Sequence, residues 1–203
     1  MSTAPQPHLT YEEYDQLEKT TGLKYEYHNG EVFAMGGASR AHARITTNLP
    51  RSVGFRLIGK PCEDFGSDLR VAIPGSGRYM YPDYSIACGP LRAEQPGREA
   101  FTNPKVIFEV LSPSTENYDR GAKFDLYSRI PSLEEYILIA QDRYAIDRFK
   151  RLENSSSWTL TRYRGVDAVL ELESLAIAVP LSEIYDAVDF ALAEHSFEPL
   201  PIL

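Results

Sequence analysis

The order of helical and strand signals along the chain predicts an α/β (α+β) fold, a central mixed sheet with helices packed against it. Three observations carry the prediction. Helix-period stripes start near residues 10, 39 and 116, turn-rich dipeptides separate runs of strand-forming residues, and the apolar segments at 105–111 and 135–140 flank the last of those helices.

Thr10 followed by Glu13 is a capping-box signature, and Tyr11, Tyr14 and Leu17 continue at helical spacing, so residues 10–20 should form a short helix ending near Gly22. In YEYHNGEVFAM, Asn29-Gly30 sits between two runs rich in Tyr, Val and Phe. That is a two-residue hairpin signal, and it places Glu26 opposite Phe33. Ser39 can cap a second helix with the stripe His42, Ile45, Leu49, Val53 and Leu57; Pro50 lies inside it and predicts a kink or break. Segments 65–73 and 79–88 read as a second hairpin around PGSGR. A loop at 89–103 leads into the strand at 105–111. After Ser-Pro-Ser-Thr the pattern turns helical, with Asp119, Lys123 and Tyr127 on one face, until Pro131 stops it. EYILIA, YAIDRFKR and WTLTRYR predict a strand meander, and the tail adds an alternating segment and a short helix around 181–187.

At 203 residues, 43% of them hydrophobic, the chain fits one domain, 1–203, with a core at about 10–190. The first twenty residues carry Asp, Glu and Lys with no apolar stretch, and no run approaches the roughly 18 apolar residues of a membrane span. A cytoplasmic location without membrane association is therefore expected. Cys62 and Cys88 make neither a disulfide framework nor a metal pattern such as CxxC, and are expected to be reduced. The formal net charge of −8 argues against coating nucleic acid by bulk electrostatics. The charge is uneven, however. Between Met35 and Cys62 there is no Asp or Glu, while Arg40, Arg44, Arg51, Arg56 and Lys60 accompany His42; from Val166 onward there are acids and no Lys or Arg.

The chemistry centres on two acids. Asp83 follows Pro82, whose ring favours extended backbone before it, at the start of a strand; Glu109 interrupts the apolar run Val-Ile-Phe-Glu-Val-Leu. A carboxylate among such neighbours is costly unless something binds it. If the two strands are neighbours, the carboxylates meet and repel, and a hard divalent cation relieves the repulsion by taking their oxygens as ligands. Taken alone, an acid in a strand is more often salt-bridged or at a rim than catalytic.

Pro82-Asp83 followed by Glu109 on the next apolar strand resembles the PD-(D/E)XK nuclease superfamily. More closely, KYEYHNGEVFAM, the His42 helix, YPD, EVLSPST, DRGAKFDLY and EYILI, in that order, resemble the Uma-two-type family of candidate restriction endonucleases, formerly a domain of unknown function. The resemblance spans roughly residues 10–190. It implies a restriction-endonuclease-like mixed sheet flanked by helices, with an added N-terminal hairpin and C-terminal strands. It also implies hydrolysis of DNA phosphodiester bonds with Mg²⁺, for which Mn²⁺ can substitute, held by Asp83, Glu109 and the backbone carbonyl of Val110. The superfamily's Glu-x-Lys lysine would fall at position 111, where this chain has Leu111. Lys123 is the replacement that the resemblance implies, carried back across the sheet by the following helix. By spacing alone, Lys123 reads as an exposed partner of Asp119.

Glu26 matches the acid of the family's first hairpin, though Lys24 or an arginine could pair with it. His42 matches a histidine at the start of the second helix; a lone histidine on an apolar stripe is more often a satisfied core residue. Asp68 could approach Asp83 from the preceding strand and ranks below Glu26. DNA phosphates could meet the basic 35–62 stretch and Arg92 and Arg98 of the loop. Cutting both strands would call for a dimer or two binding events, and a homodimer is expected. A catalytically silent nuclease-fold binding protein and a phosphohydrolase of smaller substrates remain alternative readings.

Overall fold

The computed structural model describes residues 8–95 and 98–190. The first helix, α1 (Tyr11–Thr21), starts at the anticipated capping box, Thr10 and Glu13 bonding each other's backbone, and stops at Gly22 in the left-handed region. Strands β1 (Tyr25–His28) and β2 (Glu31–Ala34) form the hairpin in the expected register, Glu26 opposite Phe33. Asn29 and Gly30 turn it with φ of 51° and 99°, the positive values a tight hairpin turn demands.

Helix α2 (Arg40–Ser52) runs through Pro50 instead of breaking there, because two residues from the helix end the missing donor and the ring disturb only the last turn; a 3₁₀ turn, Gly54–Leu57, follows. The segments read as a second hairpin each divide between two sheets: β3 (Cys62–Gly66) and β4 (Arg70–Ile73), then β5 (Arg78–Met80) and β6 (Tyr84–Cys88). Strand β4 pairs with β5, and β3 pairs with β6. A two-residue β7 (Ala100–Phe101) lies beside β4, and β8 (Val106–Leu111) carries the apolar run.

After β8 the chain makes α3 (Glu116–Tyr118), a π-helical turn over Asp119–Lys123, and α4 (Phe124–Tyr127). The meander is as expected: β9 (Glu135–Ala140), β10 (Ala145–Arg151) and β11 (Trp158–Arg164). The alternating tail segment is itself a hairpin, β12 (Val169–Leu172) and β13 (Ile177–Pro180), followed by α5 (Leu181–Ile184).

These elements build a five-stranded sheet in the order β2-β1-β5-β4-β7, a six-stranded mixed sheet in the order β11-β10-β9-β8-β6-β3, and the small β12-β13 pair. In the larger sheet β8 and β9 run parallel, joined by the helical crossover. One face packs Phe108, Val110, Ile137 and Ile139 against α2 and the C-terminal hairpin. The other sets Ile107, Leu111, Tyr136 and Leu138 against Val71, Ile73 and Met80 of the five-stranded sheet and against α4. With both faces covered, β8 is buried along its whole length, and alternation directs Glu109 into the second face.

Cys62 and Cys88 are joined by a disulfide, contrary to the reduced pair expected. They are direct partners across β3 and β6, a proximity that 26 residues of separation conceal. Among the described residues no helix is long and apolar enough to cross a membrane.

Candidate active site

Strands β6 and β8 are antiparallel with Tyr84 opposite Phe108, so the register carries Asp83 to the level of Glu109. Asp83 lies where the chain leaves β5 and enters β6, the passage from one sheet to the other. Its Oδ2 accepts the Val110 N–H at 2.7 Å and stands 3.2 Å from His42 Nε2. His42 reaches it because Ser39 caps α2 beside the sheet, where its hydroxyl also meets Gln141 Oε1 at 2.5 Å.

Lys123 is buried, 6% exposed, and not the solvent-facing residue its spacing indicates. Its Nζ lies 2.8 Å from Glu109 Oε1, 3.3 Å from Glu26 Oε1 and 3.6 Å from Asp119 Oδ1. The i, i+4 contact with Asp119 thus exists, inside the protein. Tyr127 donates its hydroxyl to the same Glu109 oxygen at 3.1 Å. Glu26 comes from β1, and His28, two residues on and so on the same strand face, sets Nε2 3.7 Å from Glu26 Oε2.

Three carboxylates lie within 3.6 Å of one ammonium and Asp83 adds its charge nearby, which leaves an excess of carboxyl groups over cations. Burial holds the Glu109 carboxyl well above the usual range; Lys123 opposes this, and Asp83 and Asp119 reinforce it. Burial raises Asp119 also, against the pull of Lys123. For Asp83, burial is outweighed by His42 and the Val110 N–H, which keep it below its ordinary value. For Glu26, Lys123 and His28 together outweigh burial in the same direction. Burial works against the Lys123 charge, but Glu109 and its neighbours hold the ammonium well above the ordinary lysine value. Among the described residues, no group of three or more His, Cys, Asp or Glu side chains is disposed to enclose a metal ion.

Asp68 is not part of this cluster. It sits in the turn between β3 and β4, is exposed, and pairs with Lys24. Lys24 is therefore engaged away from Glu26. Arg98 is also committed elsewhere: its guanidinium lies 4.0 Å from the Tyr11 ring centroid and donates to Tyr79 Oη at 2.5 Å.

A family model described as "Putative restriction endonuclease", Uma2, matches residues 11–182. The chain belongs to the Uma2 family. It is 37% identical over 188 residues to the "Uncharacterized protein slr1290" of Synechocystis sp. (strain ATCC 27184 / PCC 6803 / Kazusa), covering 93% of this chain and 97% of that one. It is 36% identical over 169 residues to "Uncharacterized protein sll1609" of the same organism, covering 83% and 95%. A crystal structure titled as a putative nuclease belonging to DUF820 from Anabaena variabilis ATCC 29413 superposes with a TM-score of 0.68 at 16% identity, covering 91% of this chain and 99% of the other. That likeness shows that the two chains share a fold.

In this Uma2 chain, His28 and Tyr127 also join the cluster, two residues that sequence reasoning missed as members of it. The signals are present: His28 shares a strand face with Glu26, and Tyr127 shares a helix face with Lys123. What spacing cannot supply is the partner element each face meets.

Proposed function

We propose that this protein is a metal-dependent endonuclease that hydrolyses DNA phosphodiester bonds. The observation that carries the reading is the meeting of Asp83, Glu109 and the buried Lys123 ammonium, the last within 2.8 Å of Glu109. The donor set fits a hard cation. Among the described residues, the hydrogen bonds and ion pairs of Asp83 fall on Oδ2 and those of Glu109 on Oε1, so each keeps its second oxygen for another ligand. Two carboxylates with a backbone carbonyl suit hydrated Mg²⁺ better than a closed cage of side chains. Asp83, Glu109 and the Val110 carbonyl would hold it, with Mn²⁺ as a substitute. When bound, the ion would supply Lewis acidity at the scissile phosphate and acidify a water.

The chain's own residues do the rest. His42 and the Val110 N–H keep Asp83 ionised and fix its orientation. Lys123 presents its ammonium where negative charge develops on the attacked phosphate, taking the place of the lysine that Leu111 does not provide. Glu26 also pairs with Lys123, at 3.3 Å, and would help order the attacking water. One such site cuts one strand, so double-strand cleavage would employ a homodimer.

Purified protein is incubated with supercoiled plasmid and Mg²⁺ or Mn²⁺, beside Asp83→Ala, Glu109→Ala and Lys123→Ala. Nicking by the parent that all three variants lose is the expected result. Equal background nicking in all four samples would end the proposal.

A further inference from the structure

We infer that the solvent face of α2 is a docking surface for the phosphate backbone of duplex DNA, gripped by Arg40, Arg44 and Arg51. This rests on the nuclease reading for the identity of the polymer and adds where it is held. At 3.6 residues per turn, the three arginines fall within about 40° of one line along the helix. Ala41, Ile45, Asn48, Leu49 and Ser52 occupy the buried side. The three are exposed, and among the described residues no ion pair engages them.

The basic stretch of the sequence is thereby divided. Arg56 is not part of the ridge, since both its terminal nitrogens bond Glu183, at 2.7 and 2.9 Å. Arg51, at the far end, borders a cleft of about 270 Å³ also lined by Glu183 and Asp186, which bounds the surface with acid. At 1.5 Å per residue, Arg40 to Arg51 spans about 16 Å, the length of about five phosphates on one strand. The ridge starts at the site, for Arg40 follows the Ser39 cap and His42 contacts Asp83. On a chain of net charge −8, such a local row of cations is what a polyanion can engage.

The test is fluorescence anisotropy with a labelled short duplex, without divalent metal, over a series of salt concentrations. Arg40→Ala, Arg44→Ala, Arg51→Ala and the triple variant are compared with the parent, with Arg162→Ala, an exposed arginine of β11, as control. Every phosphate that a substitution leaves without its arginine should flatten the slope of log K against log salt by about 0.9. The triple variant should therefore differ from the parent by between about two and three, and Arg162→Ala not at all. A triple variant with the parent's slope overturns the inference, and so does a parent that fails to bind the duplex. Plasmid nicking is assayed on the same proteins with Mg²⁺ or Mn²⁺ added. Binding that depends on the ridge without any nicking would overturn the nuclease reading and leave this surface standing.

Discussion

Lys123 Nζ and Glu109 Oε1 stand 2.8 Å apart, brought together by a strand and the helical crossover that returns over its face. Removing the cation from a buried pair leaves uncompensated charge, and here Glu26 and Asp119 would share the loss. Lys123→Met should therefore destabilise the fold by about 3–5 kcal/mol, measured by urea unfolding. Adding Glu109→Gln should restore a large part of it, and strict additivity of the two changes would contradict a direct interaction.

His42 acts on Asp83 from outside the proposed ligand set. Partners that orient a ligand typically contribute about tenfold to a hundredfold in metal affinity. His42→Ala should weaken Mn²⁺ binding by that factor in calorimetric titration while leaving the thermal midpoint close to that of the parent. Undiminished binding heat and affinity would remove His42 from the site.

Asp147 links the crossover to the meander, with Arg120 at 2.7 Å and Arg164 at 2.5 Å. Burial opposes its charge, but the two guanidinium groups outweigh burial and hold its carboxyl below the ordinary value. A depressed folded-state value contributes stability above the unfolded pKa of about 3.9, which is lost as pH falls through the folded one. The stability difference between the parent and Asp147→Asn should be constant near neutrality and shrink below about pH 4. A difference that stays constant into acid would show that the charge of Asp147 contributes nothing.

The Cys62–Cys88 bond ties the edge strand β3 to β6 and closes a segment with a sequence separation of 26. On the chain-entropy model such a closure is worth about 3.5 kcal/mol. Thiol titration of the denatured protein should detect no free thiol until a reductant is added, and reduction should lower the thermal midpoint. Two titratable thiols in the untreated protein would show the pair to be open.

Local signals were readable wherever the chain decides its own geometry. The Thr10 box, the Asn29-Gly30 turn and the three meander strands needed no distant partner, and the site acids could be picked out because Glu109 contradicts its surroundings. Pairings between sheets were not readable. Nothing in PGSGR reveals that residues on each side of it leave one sheet for another, and that division took Asp68 out of the cluster and set Cys62 against Cys88. The inward aim of Lys123 was also hidden, because helical spacing reports which residues share a face and not what that face meets. Tertiary packing chose between two sound local readings, and it chose burial.

Asp83 occupies the hand-over between the sheets, Glu26 belongs to the five-stranded one, and Glu109 to the six-stranded one. The cluster is consequently a clasp and not a pocket in a single wall. The clasp stays shut only while Val71, Ile73 and Met80 of one sheet remain packed on Ile107 and Leu138 of the other, so a substitution that loosens this seam would part Glu26 from Lys123 and Glu109 without touching any of the three.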